Sequence, residues 1–224
     1  MAAKHDIVAG ALWAAELTPP EIERAKTGFT TRRFPRGGYI CHRGDRLDYW
    51  TGVVTGLVKI SAISRDGKAM TFAGAADGGW FGEGSVLKDE ARRYDIVAVR
   101  DTELAMMPRA TFMWLFENSV GFNRFLVRQF NERMGQFIAT IEHDRILNNR
   151  ARVARTLAWF FNPVLYPQTR SEIEISQEEL ALLAGLSRQI VNRSLQELAA
   201  ERLIRIEHSK IAVLDLETLQ SYDA

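Results

Sequence analysis

Apolar positions along this chain change their period twice. From Phe29 to about Leu115 they come in short runs punctuated by glycine, among them Arg36-Gly37-Gly38-Tyr39-Ile40, Trp50-Thr51-Gly52-Val53-Val54, Thr55-Gly56-Leu57-Val58-Lys59-Ile60 and Gly78-Gly79-Trp80-Phe81-Gly82-Glu83. Turns at such regular intervals predict an antiparallel β-roll or barrel. Asp66-Gly67 suits a tight hairpin, and Phe34-Pro35 suits an edge or the start of a strand.

After Pro108 the period becomes helical. Residues 110–117 predict a short helix, and residues 120–147 run without proline. Phe122, Leu126, Phe130, Met134, Phe137 and Ile141 follow one another at steps of four, four, four, three and four, which predicts one apolar stripe; Phe125, Val127 and Ile138 widen it. A helix of that length, about 40 Å, can cover the β-domain on one side and meet its own copy on the other. The six stripe residues are therefore the expected dimerisation surface.

Residues 176–198 carry the most informative pattern. Ser176 with Glu179 three residues on is a capping box, Gly185 supplies a left-handed turn, and Ser187 can cap a second helix. Leu180, Leu183 and Ala184 give the first helix an apolar face, and Ala181 lets a second helix cross closely. That second helix buries Ile190 or Val191 together with Leu195 and Leu198. Arg188, Gln189, Asn192 and Arg193 are left on another face that holds no acid. Arginine donates two hydrogen bonds to guanine or grips phosphate, and glutamine pairs with adenine, so the pattern reads as a helix-turn-helix for the major groove. Residues 203–207 and 210–214, separated by His208-Ser209, read as a β-hairpin wing, with the alternating residues 172–175 able to pair with it. Asp215 can cap a last short helix over residues 216–222.

Composition narrows the alternatives. The chain has 224 residues, 46% hydrophobic and 25% charged, enough for two modest domains. A net charge of +1 means that attraction to phosphate must come from local clusters. Arg145, Arg150, Arg152, Arg155 and Arg170 form one, with no acid between residues 145 and 171. Cys41 stands alone, so it offers neither an internal disulfide nor a multi-cysteine zinc or iron–sulfur site, and a reducing cytoplasm fits. The apolar residues 7–15 are too few to cross a bilayer and read as an amphipathic helix packed on the protein. The four histidines are scattered, and no nucleophile and base can be paired by spacing, so neither a catalytic constellation nor a metal site is expected.

The order of parts resembles the transcription regulators typified by the cyclic AMP receptor protein and the fumarate and nitrate reduction regulator, the Crp/Fnr family. Gly78-Gly79-Trp80-Phe81-Gly82-Glu83 carries the resemblance in the roll. In the hairpin it is carried by Ala181, Gly185, Ser187-Arg188, Val191, Arg193 and Leu195, followed by Leu203-Ile204 and Leu214-Asp215. The resemblance spans nearly the whole chain. It implies an α+β protein with a β-roll of cyclic-nucleotide-binding type and N-terminal helices over residues 1–115, a long dimerisation helix over 116–147 and a winged helix-turn-helix over 148–224. It implies as well a homodimer on near-palindromic double-stranded DNA, governed by a small effector in the roll, with RNA polymerase as a further partner.

The effector is where the chain departs from its family. Members that bind cyclic AMP place a Gly-Glu pair and, about ten residues later, an Arg-Ser pair around the cyclic phosphate and ribose. Gly82 and Glu83 match the first pair and Arg93 the arginine, but Tyr94 and Asp95 follow it. The Thr-Ser pair that receives adenine falls on Phe137-Ile138, whose side chains cannot hydrogen-bond. Gly82, Glu83, Arg93, Tyr94, Phe137 and Ile138 are thus the expected effector pocket, suited to an aromatic or apolar molecule rather than cyclic AMP. On the recognition helix, the family's base-reading arginine, glutamate and arginine match Arg188, Gln189 and Arg193; Asn192, Ser187 and Ser176 complete the expected DNA contacts. A second reading keeps the ligand-sensing roll, with cyclic AMP or another ligand, and gives the C-terminal domain a protein partner instead of DNA.

Overall fold

A computed structural model describes residues 4–63, 69–207 and 210–223. The predicted turns at Asp66-Gly67 and His208-Ser209 lie outside the described residues.

The chain opens with α1 (Lys4–Ala9), a 3₁₀ turn (Leu12–Glu16) and α2 (Pro19–Ala25). The single helix expected over residues 7–15 is therefore broken just after α1, at Gly10, a residue poor in helix propensity. The break lets Trp13 enter the core from the 3₁₀ turn, where its ring lies 5.4 Å from Trp80 and 5.6 Å from Trp50.

The roll consists of two antiparallel sheets. One has the order β1 (Thr30–Phe34), β8 (Thr102–Pro108), β3 (Tyr49–Thr55), β6 (Trp80–Phe81); the other β2 (Tyr39–Cys41), β7 (Asp95–Ala98), β4 (Leu57–Ile63), β5 (Ala69–Ala76). Phe34, Val53, Val58, Ile60, Phe81, Ile96 and Leu104 fill the space within the roll. Each strand turns alternate residues inward, as the pleat requires. Between β6 and β7 lies a short helix, α3 (Glu83–Lys88).

Then come α4 (Arg109–Asn118) and the long helix α5 (Val120–Ile146). The start of α5 packs into an aromatic cluster with Trp13, Trp50, Trp80 and Phe112. Phe122 and Leu126, two of the six expected dimerisation residues, are fully buried there within the protomer. The expected interface is corrected at its N-terminal end: these two side chains belong to the N-terminal domain's own core.

Beyond α5, α6 (Asn149–Trp159) begins with Asn148 accepting the Ala151 N–H at 3.0 Å. The C-terminal part adds β9 (Glu172–Glu174), α7 (Gln177–Ala184), α8 (Arg188–Ala200), β10 (Ile204–Glu207), β11 (Lys210–Val213) and α9 (Leu216–Ser221). β11 pairs with β10 and, on its other edge, with β9, where Ile211 faces Ile173. The three-stranded sheet and the helices share a core of Leu157, Leu180, Val191, Leu195, Leu198, Ile204 and Ile211. That core continues into the roll through Leu57 and Val99, so the C-terminal domain and the roll are packed together.

Candidate nucleic-acid interface and sensor cavity

The helix-turn-helix is built by local chemistry. Glu179 N–H donates to Ser176 Oγ at 3.2 Å while Glu179 Oε2 accepts from Ser176 N–H at 2.7 Å, closing the capping box of α7. Gly185 ends the helix at φ 63°, a left-handed conformation that favours glycine. Ser187 then caps α8 by accepting the Ile190 N–H at 3.3 Å. Of the two residues left open by sequence, Val191 is buried and Ile190 only half-buried. Ser194, Leu195 and Leu198 complete the inner face of α8, while Arg188, Gln189, Asn192 and Arg193 are exposed, as are Ser176 and Ser187.

The expected DNA contacts are therefore all exposed, on α8 and at the capped starts of α7 and α8, and Ser176 and Arg188 line one groove. Arg193 is steadied by Glu197 at 2.9 Å one turn on. The other arginine cluster behaves differently. Arg150 pairs with Glu201 at 3.0 Å and lies over the Tyr222 ring, and Arg155 donates to the Tyr222 and Gln220 carbonyls. These two hold the domain together; Arg145 and Arg170 are exposed. Their common charge in the sequence conceals the division, because it depends on which carbonyls and carboxylates the fold brings near.

On the sensor side a cavity of about 510 Å³ lies between the roll and α5. Of the expected pocket residues, Gly82, Glu83, Arg93, Tyr94 and Phe137 line it, together with Phe72, Phe130 and Arg133. Ile138 does not line it; its side chain is exposed on the outer surface of α5, because adjacent helical residues point about 100° apart. Phe130, expected at the dimer surface, reaches the cavity too. Arg93 is mostly solvent-exposed and pairs with Glu90 at 3.2 Å. Its neighbour Arg92 is the buried one, donating to the Gly82 carbonyl at 3.0 Å and the Tyr49 carbonyl at 3.3 Å, and so anchoring the turn before α3. Adjacent arginines are indistinguishable by type, and only the alternation of faces separates them.

Arg133 was not foreseen. It is nearly buried, its Nη1 donates to Gln136 Oε1 at 2.8 Å, and its Nη2 has no partner among the described residues. Glu83 Oε2 is likewise buried and unpartnered. Nothing in the sequence singled it out, since Arg124 and Arg128 lie on the same helix and Glu132 directly precedes it. Cys41 is buried, and burial pushes its thiol up to about 11, out of reach of ready oxidation. Among the described residues no cluster of His, Cys, Asp and Glu could hold a metal, and no helix is long and apolar enough to cross a membrane.

Sensor and reading head meet along a polar seam. Arg100 forks onto Glu179 at 2.9 and 3.2 Å and reaches the Glu174 carbonyl at 2.6 Å, while Arg36 pairs with Glu178 at 3.0 Å. Glu179 thus caps α7 and ties it to the roll.

A roll that encloses a mostly apolar cavity, joined to an exposed, capped helix-turn-helix, defines a class: two-part, DNA-binding transcription regulators. Comparison with known proteins agrees on both halves. Residues 31–119 match the cyclic nucleotide-binding domain family and residues 151–222 the Crp-like helix-turn-helix domain family. The cyclic AMP receptor protein of Thermus thermophilus is 29% identical over 91% of this chain and 93% of its own. A CRP-like cAMP-activated global transcriptional regulator of Mycobacterium tuberculosis is 26% identical over 83% of this chain and 84% of its own. In fold, the structure of FixK2 from Bradyrhizobium japonicum superposes with a TM-score of 0.71 at 18% identity, covering 88% of this chain and 98% of that one. The chain belongs to the Crp/Fnr family and is a DNA-binding transcription regulator. The family consists of regulators, not enzymes.

Proposed function

We propose that the protein is a homodimer that sets α8 of each protomer in successive major grooves of a near-palindromic promoter site, under the control of a small effector in the roll. The observation that carries this reading is the exposed face of α8, where Arg188, Gln189, Asn192 and Arg193 stand clear of the core on a helix fixed at both ends. Arg188 and Arg193 read guanine, and Gln189, which both donates and accepts, shifts the preference of its base pair toward adenine. Ser187 and Ser176, at helix starts, face phosphates.

The dimer reading rests on the second half of α5. Val127, Phe130, Met134, Phe137 and Ile141 are exposed at steps of three, four, three and four, the spacing of a coiled-coil seam. The effector reading rests on the cavity, whose walls of Phe72, Phe81, Phe130 and Phe137 suit an aromatic or apolar body. Cyclic AMP is a poor match, because Tyr94 and Phe137 replace the groups that hydrogen-bond it in the receptors. The protein carries out no catalysis under this reading, and RNA polymerase is its further partner at the promoter.

Selection of binding sites from random DNA tests the reading. Two half-sites one helical turn apart, with an altered base pair under Gln189, are expected, and binding should weaken steeply with salt. An absence of any DNA shift at low salt would overturn it in favour of a protein-binding module.

A further inference from the structure

Arg133 stands where the sensor cavity meets the support of the reading head. Its Nη1 donates to Gln136 Oε1 at 2.8 Å and approaches the Gly74 carbonyl of β5 at 3.4 Å. Gln136 Nε2 passes the contact to Tyr166 Oη at 3.1 Å, and the Tyr166 hydroxyl donates to the same Gly74 carbonyl at 3.1 Å. Gly74 is also where α7 sits, since a Cβ placed there would lie 3.1 Å from Leu183 Cδ2. Arg133, Gln136 and Tyr166 are all buried, so each hydrogen bond in this relay is shielded from water.

The other edge of Arg133 is unsatisfied. Among the described residues Nη2 has no partner, and neither has Oε2 of Glu83; both side chains line the cavity, and both atoms are closed off from solvent. Unpaired ionic groups in a mostly apolar enclosure are costly, and a ligand head that supplies both missing partners relieves both costs. The cavity and the cleft under the helix-turn-helix moreover share a wall, for Met70, Phe72 and Thr140 line both.

We infer that Arg133 is a two-edged fork: it selects an aromatic anion carrying an adjacent N–H or O–H donor, and by holding that anion it tightens the Gln136–Tyr166–Gly74 relay on which α7 rests. The anion takes Nη2, the donor takes Glu83 Oε2, and the aromatic body fills the space among the phenylalanines. A guanidinium can serve ligand and relay at once because its donors lie in a fixed plane; a lysine ammonium cannot. Tyr166 and Gln136 act only through the relay and are positioning residues. The inference rests on the effector reading above and deepens it.

The test uses the full chain and 8-anilinonaphthalene-1-sulfonate, a fluorescent aromatic sulfonate with a neighbouring N–H. Binding is expected to weaken about tenfold in Arg133→Met and by a much smaller factor, set by the relay's coupling alone, in Tyr166→Phe. In the native chain the probe should slow amide exchange over residues 72–76 and 180–186. In Tyr166→Phe and in Arg133→Lys that slowing should disappear, although Arg133→Lys keeps the charge and Tyr166→Phe keeps the ring packed on Phe160. Equal probe affinity in Arg133→Met overturns the ligand assignment, and persistent slowing in Tyr166→Phe overturns the relay. Neither readout involves DNA, so failure of the native chain to bind DNA counts against the proposed function alone.

Discussion

The two ends of α5 carry the same kinds of residue to opposite fates. Phe122, Phe125 and Leu126 are sealed in an aromatic cluster, with Phe122 0% exposed, whereas Met134 is 56% exposed and Val127, Ile138 and Ile141 are as open or nearly so. The first end is the N-terminal domain's own core, whereas the second turns Arg133 and Gln136 inward and leaves an apolar outer face exposed on the protomer. The apolar stripe thus passes from buried to exposed along one helix, and the change falls between Leu126 and Val127.

Shortening Phe122 attacks the sealed end and has the largest expected effect. Its ring stands edge-on to Trp13, Trp50 and Phe112 at 6.0, 5.4 and 5.3 Å. Phe122→Ala should lower unfolding free energy by roughly 3–5 kcal/mol, the usual cost of emptying an aromatic site in a closed core. Denaturant unfolding measures it, with chain association at matched folded concentration unchanged. A loss below about 1 kcal/mol would mean that the cluster repacks and that the two ends differ less than their burial suggests.

The exposed end should respond the other way. Met134→Glu buries a carboxylate in the proposed seam without touching the protomer core. Protomer association should weaken about 100-fold or more, with thermal unfolding of the separated chain nearly unmoved. Sedimentation read beside a DNA titration checks both parts, since a lone protomer reaches a single half-site. A Met134→Glu chain that still associates as tightly as the native one refutes the seam.

The sequence stripe merged these two surfaces for a geometric reason. Each step of four residues advances about 40° beyond a full helical turn, so the steps from Phe122 through Leu126 and Phe130 to Met134 rotate the stripe by about 120°. The proposed seam begins at Val127 and alternates three and four, which nearly stays on one face. The roll, the long helix and the capped hairpin were legible because glycine turns, helical period and caps are local signals. The support of the reading head was not legible: Arg100 and Glu179 lie 79 residues apart, and nothing near either in sequence distinguishes a tie from a solvated charge. The arginines of α6 escaped for the same reason, since their acceptors come from Glu201, Gln220 and Tyr222. The cavity was half legible, as the segment from Gly82 to Tyr94 is a motif, whereas Arg133 needs the packed helix to show which way it points.

Gly121 marks how closely the sealed end is packed. The Glu16 carbonyl of the 3₁₀ turn lies over it, within the space a Cβ would occupy. Helix propensity alone would make Gly121→Ala stabilising by up to about 1 kcal/mol. Because the clash is with backbone, the substitution should instead destabilise by about 1–3 kcal/mol, the range for overpacking. A gain in melting temperature would show that the 3₁₀ turn yields freely and that the seal is made by side chains alone.

The smallest effect is expected where the two regimes meet. Arg128, one residue into the open half, reaches back to Glu16 on the same 3₁₀ turn and forms an ion pair whose guanidinium side is half exposed. Water and salt screen such a pair, and holding two long side chains in place costs entropy, so Arg128→Ala should cost only about 0–1 kcal/mol and less at high salt. The comparison with Phe122→Ala is informative because both residues fasten the same N-terminal segment to the same helix. If the segment were held chiefly by charge, the two substitutions would cost similar amounts and their difference would shrink at low ionic strength. A difference of several kcal/mol that salt leaves unchanged places the attachment in the aromatic cluster, with the ion pair covering its edge.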